Sequence, residues 1–140
     1  MGDFRFRLER VLDVREILEE QAKFKWATEA SLAHEERAKL ASLLDHAEQI
    51  KDFGYQQVAI EMRQAMYAYL DVLETRIEQQ KERVREQELV AEKAKDEWFL
   101  ARQETKKVAT LREKELDTFI KEEQRKEQKV LDDMRSHVQG

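Results

Sequence analysis

Gly54 is the one residue between the ends of this 140-residue chain that offers a helix a cheap place to stop. The other two glycines are Gly2 and Gly140, and proline is absent. Average usage of roughly 5% would give about seven prolines. A chain so short of breakers must be built from a few long segments.

The spacing of apolar residues says those segments are helices. Before Gly54, Phe4, Leu8, Val11, Arg15, Leu18 and Ala22 recur at alternating four and three. Trp26, Ala30, Ala33, Arg37, Leu40, Leu44 and Ala47 carry the stripe on with a slight drift. After it, Met66, Leu70, Leu73, Ile77, Gln80, Val84, Gln87, Ala91, Ala94, Trp98, Ala101, Thr105 and Val108 keep the same rhythm. This is the a/d seam of a coiled coil. On this reading Phe4 is on the seam, and Phe6 is exposed about 200° away around the helix.

The expected fold is therefore all-α: a single domain, 1–140, forming a long antiparallel two-helix coiled-coil hairpin. Helix 1 is expected over about 5–52, a turn over about 53–57 with Gly54 as a left-handed C-cap, and helix 2 over about 58–137. At about 1.5 Å per residue the arms would span roughly 70 and 120 Å. A reversal near Gly54 sets Phe4 opposite the region of Lys106, so everything past Val108 overhangs. That overhang still carries Leu111, Leu116, Phe119, Ile120, Val130, Leu131, Met134 and Val138. An unpaired apolar stripe usually has a partner.

Composition agrees with long helices rather than a thick core. Charged residues are 41% of the chain, with a net charge of -5 from closely mixed signs. Leu, Ile, Val and Phe together number 34, above the roughly 20% below which disorder is favoured. The absence of Cys excludes a disulfide framework, and no basic block suggests nucleic acid. With no signal-like or membrane-spanning apolar run, a soluble cytosolic protein is expected.

The chemistry of an active site is missing. One internal glycine cannot build a phosphate-cradling loop. His34, His46 and His137 lack metal-ligand spacing and read as surface histidines. No pocket is expected to desolvate paired carboxylates. The expectation is a protein with no catalytic residues, cofactor, metal or small-molecule substrate. Trp26 and Trp98 read as seam filling. Arg15 and Arg37 either lay their stems along the seam or pair with a Glu of helix 2.

Some apolar residues miss the seam. Leu43, His46 and Ile50 form a second stripe beside Leu40, Leu44 and Ala47, and Tyr69 with Val72 does the same on helix 2. They lie near Phe53, Tyr55, Met62 and Tyr67. Such a cluster beside the turn reads as a docking face.

Three stretches, FRFRLERVLDVRE, AMYAYLDVLETRIEQQ and EEQRKEQKVLDDM, resemble the FliJ family of flagellar type III export proteins. The resemblance runs over essentially the whole chain. It implies a cytoplasmic antiparallel coiled coil similar to the stalk of rotary ATP synthases, associated peripherally with the inner membrane at the flagellar base. Such a protein inserts its termini into the hexameric export ATPase, contacts the transmembrane export gate through the middle of the hairpin, and escorts export chaperones. Residue by residue, the gate-binding face is similar to Leu43, His46, Ile50, Tyr69 and Leu73, although Leu73 counts as seam. The ring-binding candidates are Phe6, Arg10, Ile17, Arg125, Lys126, Gln128, Lys129 and Asp132. Alternatives are a self-associating coiled-coil scaffold and the related injectisome stalk protein.

Overall fold

The computed structural model describes residues 2–56 and 59–139. Along them the chain forms two helices, α1 (Glu9–Tyr55) and α2 (Ile60–Gln139), and no strand occurs among the described residues. The fold is an all-α antiparallel hairpin, as the apolar spacing requires. Contacts group the chain into two units, Ala22–Trp98 and Met1–Gln21 with Phe99–Gly140.

In the first of these units the helices close on an apolar cluster next to the turn. Ala47, Leu70, Leu73 and Ile77 are buried, and Leu40, Leu43, Ile50 and Met66 pack against them. Further from the turn the seam thins to Ala33 and Ala94 and then to the indoles of Trp26 and Trp98. Those rings stack with centroids 5.1 Å apart and planes 14° from parallel. Polar rungs interrupt this seam at heptad spacing. The Gln80 amide donates one proton to the Glu36 carbonyl (2.9 Å) and the other to the Glu36 carboxylate (2.6 Å). Gln87 repeats the arrangement on Glu29, at 3.1 and 2.6 Å. Each rung reads a backbone carbonyl as well as a side chain, so it resists sliding of one helix past the other. The bond from Gln80, with the nearby Lys39 ammonium, holds the Glu36 carboxyl below its ordinary range.

Arg37 reaches Glu88 at 3.2 Å and Lys25 reaches Glu97 at 3.5 Å. The pairing of Arg37 with a glutamate thus forms, but both partners are about half exposed and the pair contributes little.

The other unit pairs the start of the chain with the later part of α2. Phe4 packs on Phe119 with centroids 5.6 Å apart, under the Arg112 guanidinium. Arg112 also donates to Glu9 at 2.9 Å. Thr105 shares its hydroxyl proton between the carbonyls of Arg15 (3.1 Å) and Ala101 (3.0 Å). From Gln124 to Val138 every side chain of α2 is exposed.

Four expectations are corrected. First, residues 2–8 are not helical, and Phe6 is buried, only 6% exposed. Burial alternates along this arm: Phe4, Phe6 and Leu8 turn inward while Asp3, Arg5 and Arg7 are exposed. Period-two burial is what a non-helical, drawn-out backbone gives, so the two phenylalanines share a face.

Second, Gly54 is helical and buried, and no described glycine has positive φ. It is small for a steric reason: a Cβ there would overlap the Met66 Sδ and Cε. The expected turn over 53–57 therefore begins later, with Gln56 donating to the Phe53 carbonyl at 3.2 Å. The end of that expected turn, and the start of helix 2 at 58, lie outside the described residues.

Third, the later reversal moves the register. Phe4 meets Phe119 instead of the region of Lys106, and Glu9 meets Arg112. Leu111, Leu116 and Phe119 are half-buried rather than overhanging.

Fourth, the α1 seam is displaced by one residue in places. Leu12 is buried where Val11 was expected, and Val11, Leu18 and Leu44 are 40%, 45% and 44% exposed. The apolar doublets Val11–Leu12 and Leu43–Leu44 offer two seams of nearly equal hydrophobicity. For the second doublet the choice is visible, since Leu43 packs on the cluster that Leu70, Leu73 and Ile77 of α2 form with Ala47.

Candidate functional site

The five residues assigned to the gate-binding face divide into two groups, all within Ala22–Trp98. Leu73 is the most enclosed large side chain described, at 1% exposure, and Leu43 and Ile50 pack on the cluster around it. These three build the hairpin, and the expectation that Leu43 and Ile50 stand off the seam is corrected by their position in that cluster. His46 and Tyr69 remain at the surface. His46 Nε2 lies 2.8 Å from the Tyr69 hydroxyl, and the rings meet edge to face at 5.7 Å.

That bond ties α1 to α2 above the apolar cluster and fixes the tyrosine ring, which stays 38% exposed. Val72, three residues along α2 and on the same face, is 47% exposed. A rigid, partly exposed Tyr beside an apolar neighbour is the kind of anchor protein interfaces use. His46 is thus not a plain surface histidine, whereas His34 and His137 are exposed.

The ring-binding candidates lie in the other unit. Arg10 and Ile17 are exposed on one face of α1, a heptad apart. Arg125, Lys126, Gln128, Lys129 and Asp132 all fall in the exposed last turns of α2, where Gln128 donates to Asp132 at 3.1 Å. Phe6 does not join them, because its ring is enclosed. The same turns expose Val130, Leu131, Met134 and Val138 by 52% to 87%.

Around the turn the structure exposes Phe53, Tyr55, Ile60, Met62 and Tyr67 by 47% to 83%. Phe53, Tyr55, Met62 and Tyr67 were visible in the sequence as aromatic and Met residues close to the stripe that misses the seam. The rungs from Gln80 and Gln87 were legible only in half, since the glutamine positions fall on the seam but their acceptors on Glu36 and Glu29 do not.

Among the described residues no group of His, Cys, Asp and Glu is placed to hold a metal ion. No helix there is long and apolar enough to cross a membrane.

A family model described as flagellar FliJ protein matches residues 4–138. Comparison with curated protein sequences gives no match. Among solved structures, a YscO homolog, CT670, from Chlamydia trachomatis is similar with a TM-score of 0.58 at 23% identity. The similarity covers 97% of this chain and 95% of that one, and at this identity it speaks for the shared fold.

Proposed function

This chain belongs to the flagellar FliJ protein family, and from that premise we propose that it is a non-enzymatic, cytoplasmic stalk of the flagellar type III export apparatus. In this role the last turns of α2 enter the ring of the hexameric export ATPase. The surface around His46 and Tyr69 contacts the cytoplasmic part of the export gate, and the hairpin escorts export chaperones. The observation that carries the reading is the run of exposed side chains from Gln124 to Val138 in a chain matched to the family from 4 to 138. It supplies a helix with both charged and apolar side chains free of intramolecular partners from the N-terminal arm. A helix meeting a symmetric ring benefits from modest, partly polar contacts rather than tight complementarity.

Arg10, Ile17, Arg125, Lys126, Gln128, Lys129 and Asp132 are the side chains offered to the ring. Phe6 is left out, since binding through it would first require the arm to open.

The test is a pull-down with the cognate export ATPase and the gate's cytoplasmic domain, coupled to ATP hydrolysis. Removal of residues 125–140 should abolish stimulation of hydrolysis while gate binding persists, and Tyr69→Ala should weaken the gate contact with helicity intact. Unchanged stimulation after the truncation would remove the last turns of α2 from the mechanism.

A further inference from the structure

The cleft beside the turn, within Ala22–Trp98, is lined by Lys51, Gly54, Tyr55, Arg63, Met66, Tyr67 and Leu70 and holds about 390 Å³. A larger cleft beside Phe4 and Phe119 is flatter and lined by charges of both signs. The floor here is apolar and built: Leu70 is buried, Met66 is half-buried, and the missing side chain of Gly54 makes the room Met66 occupies. The thioether is an adaptable surface for an incoming apolar group. Two tyrosines form walls, 83% and 61% exposed. Tyrosine offers large contact area at small entropic cost.

Charge is the second observation. Among the described residues lining this cleft, Lys51 and Arg63 carry the charge, and both are cationic on a chain whose net charge is -5. Lys51 lies 3.6 Å from Glu48 with its own side chain about half exposed, and Arg63 is exposed too, so a carboxylate arriving at the cleft can exchange with solvent-screened partners at little cost.

We propose that this cleft is a docking site for a short acidic segment of a partner protein. The segment seats a large apolar side chain against Tyr55, Tyr67 and Met66 and sets a carboxylate beside Lys51 and Arg63. The volume is within the roughly 300–1,000 Å³ of ligand clefts, yet the site is open enough for a continuous peptide to pass. A second copy of the same tip fits badly, because it would bring Lys51 and Arg63 against their own likeness. None of these residues belongs to the surfaces assigned to the gate or the ATPase ring, so the site stands or falls separately from that reading.

The experiment is selection of a random six-residue phage-displayed peptide library against the full chain, followed by fluorescence anisotropy on the enriched peptides. Enrichment of sequences that join an aromatic or large aliphatic residue to Asp or Glu is expected. Their binding should weaken at least tenfold in the Tyr55→Ala, Tyr67→Ala pair and in the Lys51→Gln, Arg63→Gln pair, and should fall with salt. Helix content should be unchanged in both. Should the tyrosine pair lower helicity, the Lys51 and Arg63 pair, on exposed helix surface, carries the test alone. No enrichment, enrichment of basic or neutral peptides, or binding indifferent to these substitutions overturns the proposal. So does a concentration-dependent dimer that the same substitutions dissolve, which would make a second copy the occupant.

Discussion

Leu73→Ala separates packing from docking near the turn of the hairpin. Resemblance assigns Leu73 to the partner, while the structure encloses it at 1% exposure among Ala47, Leu70 and Ile77, with Leu40, Leu43, Ile50 and Met66 around them. Truncation to Ala removes three buried carbons, about 2.4 kcal/mol at about 0.8 kcal/mol each. A cavity would add to this, as it does in globular cores where Leu→Ala costs about 2–5 kcal/mol. A two-helix layer is open on its flanks and can collapse into the gap, so the expected total is about 3 kcal/mol. With an urea m-value of about 2–3 kcal/mol/M, that moves the midpoint of unfolding down by roughly 1–1.5 M. The assay is urea unfolding followed by circular dichroism, alongside gate binding measured well below the midpoint. Tyr69→Ala, at a 38% exposed site, should shift the midpoint far less. If Leu73→Ala leaves the midpoint in place yet abolishes gate binding, Leu73 is a docking residue and the packing argument is wrong.

Phe6→Ala should release the N-terminal arm, raising amide exchange over residues 2–12 and costing less than the roughly 3–5 kcal/mol of a core Phe→Ala, because only a chain end is freed; protection that does not change would return Phe6 to the exposed class. Gly54→Ala should stay within about 1 kcal/mol of the parent in chemical unfolding. The helix gains about 1 kcal/mol of propensity while Met66 must turn its flexible end away, and a loss above about 2 kcal/mol would mean that Met66 cannot yield. The Glu36 carboxyl, held low chiefly by Gln80, contributes stability present above its unfolded value near 4.5 and lost as pH falls through its lower folded value. Gln80→Ala should therefore flatten the acid limb of stability against pH, and an unaltered limb would refute the rung's role.

The heptad spacing from Met66 to Val108 by itself determined that α2 exists, and which of its faces is inward. Leu70, Leu73, Ile77, Gln80, Val84 and Ala94 are buried where the spacing puts them. A long helix with one apolar stripe has one way to bury it, so periodicity suffices. The all-α hairpin follows from that stripe, its counterpart on α1 and the lack of breakers within either stripe. Three things were decided only by tertiary contact. Val11–Leu12 and Leu43–Leu44 each leave two choices on α1, and packing buried Leu12 and set Leu43 on Leu70, Leu73 and Ile77 of α2. Gly54 lies inside α1, where its missing side chain leaves room for Met66, rather than in the turn as a left-handed cap, and nothing local distinguishes those two uses of glycine. The alternation in FRFRL describes an arm whose aromatics share one side, because Phe119 and Arg112 sit where a non-helical chain can reach them. Local sequence states which residues prefer to be buried. Only the partner helix states which of two nearly equal faces will be.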